Sequence, residues 1–432
     1  MKVFDVVIVG ARCAGSPLAA RLARRGLDVC LLDKAQFPSE TPSTHIIQPR
    51  GAQALERIGA LDAVLSAGAA TINSFTMVND DVRIEGEFDE STFPLPGLCV
   101  RRVTLDAVLV DTAANAGADV RTGVKATGLI TVGERVAGVE TDHGPIRARL
   151  VVGADGRHSQ VAKDVGAKEY SITPMGRVPV WGYFEGVADR EGRLRLARLG
   201  ENAYLASPTD DGLYMVCVAA GTDSGAHREE AFAAALEGWP ELADTLSGGR
   251  RIGPLRVMAK WHGYLRQAAG PGWVLIGDAG HFKDFTPGQG IADALCQVEL
   301  LDQTLPADFG NASNLDAANQ RWWRWRDRDA YAMHWFASDL GAPGAPTPVI
   351  TEVLRDISGD PEARRTLMRV LNHEVAPREL LAPRRLAVAV GRAVRTRPRE
   401  IRTTGREVAV AIRNEVRRAR MTRTVPPGLH AP

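Results

Sequence analysis

A short apolar run that breaks at a glycine-rich turn and continues as a helix constrains this 432-residue chain more than any other stretch. Val6-Val7-Ile8-Val9 leads into Gly10-Ala11-Arg12-Cys13-Ala14-Gly15, then a helical stretch to Arg25-Gly26, then a second apolar run from Val29 to Leu32 that ends in Asp33. Unbroken apolar runs, rather than alternating ones, suit strands covered on both faces of a parallel sheet. The whole reads as a βαβ unit. Gly10 stands at the tight turn and Gly15 at the later position. Asp33, followed by Lys34, is the acid that bonds a ribose hydroxyl in such units. Arg12 replaces the middle glycine, and its guanidinium is a candidate phosphate partner beside the backbone of Cys13 and Ala14. Cys13 itself reads as a small packed side chain rather than a redox group.

A second stretch, Val274 to Ala294, reads VLIGDAGHFKDFTPGQGIADA. An apolar strand delivers Gly277-Asp278 to the carboxyl edge of the sheet, where open α/β folds bind ligands. The turn Thr286-Pro287-Gly288-Gln289-Gly290 then feeds a helix starting near Ile291. It presents backbone N–H groups that favour electron-rich or anionic atoms. A carboxylate for a polyol and a helix N-terminus for a ring carrying negative charge fit the ribityl chain and isoalloxazine of a flavin.

A third strand, Leu150-Val151-Val152, runs into Gly153-Ala154-Asp155-Gly156-Arg157-His158-Ser159. Ahead of it lie Val100-Arg101-Arg102-Val103-Thr104-Leu105-Asp106 and a helical pattern from Ala107 to Ala116 closed by Gly117. With these four motifs in this order, residues 1 to about 310 resemble the flavoprotein monooxygenases of the para-hydroxybenzoate hydroxylase type (class A). The geranylgeranyl reductases and flavin halogenases are related to them.

The resemblance implies an α/β fold: a Rossmann-like FAD-binding domain, an inserted, mostly antiparallel β substrate domain and a helical C-terminus. It implies that Gly10, Gly15 and Asp33 hold the ADP half of non-covalently bound FAD, with Arg101 or Arg102 reaching its phosphates or ribityl chain. Asp155-Gly156 would serve FAD and a passing NAD(P)H, Asp278 the ribityl hydroxyls, and Pro287 to Gly290 with Ile291 the flavin ring. Two positions depart from the family: Val161-Ala162-Lys163 replaces its frequent Val-Arg, and Gln289 stands where glycine is common. The implied reaction is hydroxylation or epoxidation of a small aromatic or polyketide/terpenoid-like substrate, with O2 as co-substrate and a flavin hydroperoxide as oxidant. His45, His281 and Tyr183 are candidate bases for ionising a phenol, and Lys283 a cationic contact. An FAD-dependent reductase of isoprenoid double bonds is the alternative, and a non-enzymatic flavin redox sensor a further one. The halogenase motif Trp-x-Trp-x-Ile-Pro is absent. Trp322-Trp323-Arg324-Trp325-Arg326 follows Asp278 and reads as a packed helix face.

The FAD-binding domain is expected to be discontinuous, over residues 1–72, 98–172 and 258–310. Residues 73–97 and 173–257 would form the substrate domain, and 311–432 a helical C-terminal region. Strands are expected over Thr71–Val78, Val82–Phe88, Val178–Val187, Arg193–Leu199, Ala203–Ser207 and Leu213–Val218, with one helix over Glu229–Leu246. Apolar content of 45% and charged content of 24% suit a globular protein. Cys13, Cys30, Cys99, Cys217 and Cys296 are scattered without metal-ligand spacing, which favours reduced thiols in the cytoplasm and no metal. The first strand starts too early to leave room for a signal peptide, and no apolar run approaches the length of a membrane span. Residues 361–432 hold seventeen Arg, no Lys and six Glu, or +11, so residues 1–360 carry −10 of the total of +1. Within this tail Ile401, Val408, Ile412 and Val416 share a helical face with Arg406, Arg413, Arg417 and Arg420 around it. The reading preferred is a solvated helix packed on the body, ahead of peripheral contact with an anionic membrane or an acidic partner. Nucleic acid is not expected, because no reader motif accompanies the charge.

Overall fold

Strand Val3–Val9 lies at the middle of an eight-stranded sheet, in a computed structural model that describes residues 2–88, 91–221 and 228–424. Ile146–Gly153 pairs with it on one side and Val29–Asp33 on the other. The sheet continues to Trp273–Leu275 and to Asp119–Thr122, and all four pairings are parallel. Val6, Val7, Ile8 and Leu150 to Val152 are completely buried, which is why these runs are apolar without alternation. From its central strand the chain builds first toward Asp119–Thr122 and later toward Trp273–Leu275. The strand order therefore reverses between Val3–Val9 and Ile146–Gly153, and the crevice beyond their carboxyl ends is where such sheets take ligands. Helix Gly15–Arg24 packs against Arg102–Asn115 and Gly290–Thr304 beside this crevice.

The two insertions meet in one seven-stranded sheet. Its order is Arg250–Val257, Val178–Glu185, Tyr214–Ala220, Asn202–Pro208, Arg193–Leu199, Ser74–Asn79 and Val82–Glu87. Only Arg193–Leu199 and Ser74–Asn79 pair in parallel. Period-two alternation sorts strand Val178–Glu185: Val180 and Phe184 pack with Phe232, Trp239 and Leu242 on one face. Trp181 and Tyr183 face the opposite cluster with Ile46, Met215 and Met333. The expected helix Glu229–Leu246 is two, Arg228–Glu237 and Pro240–Thr245. Trp239 before the proline has φ −129 and ψ 85, off the helical region as the proline ring demands. The strand expected over Thr71–Val78 likewise divides into Ala70–Ile72 and Ser74–Asn79.

A 29-residue helix, Ala312–Leu340, lies along the first sheet. Trp322 donates its indole N–H to the Gln297 carbonyl at 3.0 Å and Trp323 to the Tyr170 hydroxyl at 2.8 Å, so both are packing residues. After the loop around Pro346, helices Pro348–Gly359, Pro361–Leu371 and Pro383–Thr396 each open with proline at their first turn, where its missing N–H is harmless. Ile401–Thr424 follows. Among the described residues no helix is long and apolar enough to cross a membrane.

Candidate active site at the sheet edge

Backbone geometry brings the motif loops together at the switch point. Gly10 has φ +106, and a Cβ there would overlap the Ala154 carbonyl, so only glycine lets the first and third motif loops touch. A Cβ on Gly15 would overlap the Gly10 carbonyl, which is how the helix starts directly against the turn. Asp33 links the Gly-rich loop to its own strand end, accepting from Ala11 N and Ala35 N at 2.8 Å each. Lys34 beside it is exposed. Arg12 does not extend along this loop: it donates to the Asp106 carboxylate at 2.7 Å and to Ser39 Oγ at 2.9 Å. A fully buried Asp106 also accepts from Arg102 Nε at 3.0 Å and needs both cations. Burial pushes the Cys13 thiol up to about 11, with Arg102 opposing, so it stays protonated near neutrality.

Arg101 and Arg102 diverge. Arg101 turns to the inserted sheet, where its backbone N and Nε donate to Asp210 at 2.8 and 3.0 Å. Burial alone would raise the Asp210 carboxyl, but Arg101 and Thr104 hold it below the usual range. Arg101 thus ties the head of helix Arg102–Asn115 to the inserted sheet rather than reaching for a phosphate. Arg102 stays at the edge, where its charge bears on Cys13, His45 and Asp278 alike. Asp155 closes the third motif upon itself, accepting from Ser159 Oγ at 2.5 Å and Gln160 N at 2.7 Å at the head of helix Gln160–Asp164. Gly156, with φ +77, has open space where a side chain would stand.

Asp278 differs from every other acid at this edge. Its turn is held from behind: Tyr264 Oη donates to the Asp278 carbonyl at 2.6 Å and Arg266 Nη1 to the Ala279 carbonyl at 2.7 Å. The residue is exposed to solvent, and its carboxylate accepts no hydrogen bond among the described residues. The surrounding protein nevertheless strips it of bulk water. That burial, helped by Asp293 and opposed by Arg102 and Arg157, raises the carboxyl to about 6. This combination describes a carboxylate at the floor of a cleft.

The turn before the next helix is clamped from both sides. Gln48 Nε2 donates to the Pro287 carbonyl at 3.1 Å, and Gly288, at φ +63, packs on Ile46. The Gln289 side chain points away from the cleft, its amide donating to the Val370 and Leu371 carbonyls at 3.1 and 2.9 Å. The helix begins at Gly290, one residue before the expected Ile291. Ile291 sends its side chain into the core with Leu55 and Leu295, leaving only its backbone to the cleft. A Cβ at Gly290 would meet nothing. Lys283 corrects an expectation: its Nζ lies 2.5 Å from Asp293 and 2.6 Å from Gln289 Oε1, because a buried ammonium must be paired. It is not a free cationic contact. Asp293 also bonds to His373 Nδ1 at 2.8 Å.

The base candidates divide into two groups. His45, at φ +63, and Tyr183 come together, with 2.7 Å between Nε2 and Oη. Burial, then the Arg102 charge, drives the His45 imidazole down to about 3, and burial drives the Tyr183 phenol up to about 12. Both are therefore neutral across the working pH range. His281 pairs instead with His334, ring centroids 5.6 Å apart, and burial keeps it neutral as well.

The profile of the FAD binding domain family matches residues 3–310. The chain belongs to that family. The flavoprotein is 30% identical over 318 residues to the 6-methylpretetramide 4-monooxygenase of Streptomyces rimosus, covering 66% of this chain and 71% of that one. It is 29% identical over 329 residues to the menaquinone reductase of Mycolicibacterium smegmatis, covering 71% and 78% respectively. The solved structure of a flavin-dependent brominase superposes with a TM-score of 0.72 over 92% of this chain and 100% of the other, at 18% identity, a likeness of fold. The flavoprotein is an FAD-dependent oxidoreductase of α/β fold with an inserted, mostly antiparallel sheet and a helical C-terminus.

The residues at the edge fit FAD. An accessible carboxylate without a partner suits a polyol, and Gly156 and Gly290 leave room where side chains would project. The turn at Gly10 leaves bare backbone where a phosphate chain would need close approach. Asp210, Asp293 and Arg266 have no role in the sequence reading, although each holds a motif residue, and Asp106 is there as a motif residue without an assigned partner. Asp293 had a local signal, an acid in the first turn of a helix; Asp210 had none.

Proposed function

We propose that this flavoprotein is a monooxygenase that uses NAD(P)H and O2 to hydroxylate or epoxidise a phenolic aromatic or polyketide-like molecule. The observation that carries the reading is the 30% identity with a monooxygenase whose name gives 6-methylpretetramide, across the same region as the flavin motifs. Bound FAD would supply the redox chemistry, taking a hydride from NAD(P)H and activating O2. The protein's own work is to bind and to exclude water. Gly10, Gly15 and Asp33 would hold the ADP half, with the backbone of Cys13 and Ala14 lining its loop and Arg12 held aside by Asp106 and Ser39. Asp278 would hold the polyol, and the Pro287-Gly288 turn with the Gly290 N-terminus would face the ring, where N–H groups stabilise negative charge. The inserted sheet contributes Tyr183, which meets His45 from the flavin-binding region. A neutral imidazole bonded to a phenol can accept or pass a proton without placing charge in the cleft. The reductase reading keeps support from the menaquinone reductase identity.

Oxygen separates the two. Converting candidate phenolic polyketides with the purified enzyme and NAD(P)H should require air. Conversion of a substrate under strict anaerobiosis, by addition of hydrogen to a double bond, would favour the reductase. FAD itself should be held without a covalent bond, so acid precipitation should leave a colourless pellet. Flavin retained in the pellet would contradict that.

A further inference from the structure

The Ile401–Thr424 helix lies outside the matched family region and is docked on the body by its polar side. Glu407 accepts from Thr347 Oγ1, Val349 N and Ile350 N at 2.5, 2.9 and 3.1 Å, and so caps the Pro348–Gly359 helix. Three turns on, Arg418 donates to Asp339 at 2.6 Å and lies 5.0 Å over the Trp335 ring, while its carbonyl accepts from Tyr331 Oη at 3.0 Å. These anchors, with the buried Thr404, fix the rotation of the helix.

At about 100° per residue, the face opposite the anchors carries two adjacent sectors. One holds Ile401, Ile412 and Val416, which are 54%, 60% and 46% exposed. The other holds Arg402, Arg406, Arg413, Arg417 and Arg420, all exposed and without an ion pair among the described residues. Other tail arginines do pair with acids of the body: Arg385 and Arg392 with Asp356, and Arg397 with Asp80 and Asp81. The body carries the opposite charge, yet these five point away from it.

We infer that this face docks on an anionic lipid bilayer. An interfacial helix needs aliphatic side chains to enter the acyl boundary and cations beside them at the depth of the lipid phosphates. Arginine stems are long enough to lie along the surface while their heads reach those phosphates. An acidic protein groove would take the charges but gives no role to exposed Ile401, Ile412 and Val416. The site stands independently of the substrate assigned to the flavin.

Co-sedimentation of the full-length holoprotein with vesicles tests it. Vesicles of phosphatidylcholine with phosphatidylglycerol should bind the protein, and pure phosphatidylcholine should not. Arg413→Glu/Arg417→Glu/Arg420→Glu should weaken partitioning by about tenfold or more, and added salt should do the same to the wild type. Ile412→Ser/Val416→Ser should weaken it by a similar factor. Retained FAD in both variants shows that the fold persists. Equal binding to neutral and anionic vesicles, or none to either, would overturn the inference. So would binding unaffected by the serine variant and matched by polyglutamate, which marks an acidic protein partner. A dimer in light scattering that the serine variant dissociates would assign the face to a second copy of the chain and also overturn it.

Discussion

Asp278→Ala is expected to yield a folded but nearly colourless protein. Each polyol hydroxyl donating to a charged carboxylate contributes about 1.5–3 kcal/mol, so affinity for FAD should fall at least about tenfold for every bond removed. The wild-type carboxyl adds a pH signature. Desolvation by the surrounding protein disfavours its charge and pushes the carboxyl up to about 6, above the ordinary 3.8. Its contribution to stability is therefore full below 3.8 and is lost as pH rises through 6. Polyol donors prefer the charged form, so FAD should tighten as pH rises through the same value. Asp278→Asn should bind weakly with that dependence removed. Flavin fluorescence titrations on either side of pH 6 measure both effects. Undiminished affinity in the alanine variant would show that the Gly277-Asp278 turn does not hold the cofactor.

Asp327→Ala should destabilise the fold by about 3–5 kcal/mol, the usual effect of leaving one partner of a buried ion pair alone. Arg326 and Asp327 are both completely buried, 2.8 Å apart, and Tyr170 Oη donates to the same carboxylate. Burial raises the Asp327 carboxyl while Arg326 opposes it, so truncation leaves Arg326 with no counter-charge. The damage should reach the cleft. Arg326 Nη2 donates to the Arg266 carbonyl at 2.7 Å, and the Arg266 guanidinium supports the Ala279 carbonyl beside Asp278. Denaturant melts should show the loss, and FAD content should fall with it. Arg326→Met/Asp327→Leu should be less destabilising than Asp327→Ala, because it removes both charges together. A single variant as stable as wild type would mean the pair contributes nothing.

The parts of the fold that depend on neighbouring residues were legible in the sequence. Val6–Val9, Val29–Leu32 and Leu150–Val152 announce buried parallel strands by being apolar on both faces, and Gly10 marks the turn that a Cβ would block. Pro240 was equally visible, yet an apolar pattern on both sides of it suggested one helix where the ring enforces two. Side-chain directions were not legible. Arg12 and Arg101 sit at positions that suggest phosphate contacts, but their partners, Asp106 and Asp210, lie 94 and 109 residues away. Nothing local encodes such pairings, because they arise when buried acids from distant segments claim the nearest cations. The meeting of His45 with Tyr183 across 138 residues is of the same kind. Gln289 stands where the family commonly has glycine, and the direction of its side chain is likewise not encoded locally. It bonds outward to Val370 and Leu371 and anchors the C-terminal helices to the turn.

The identity of the atom inserted tests the central claim most directly. Enzyme, NAD(P)H and a converted phenolic substrate, incubated under 18O2 in ordinary water, should give a product carrying one labelled oxygen by mass spectrometry. A product without label, formed equally well in the absence of O2, would contradict the monooxygenase assignment while leaving the flavoprotein fold untouched.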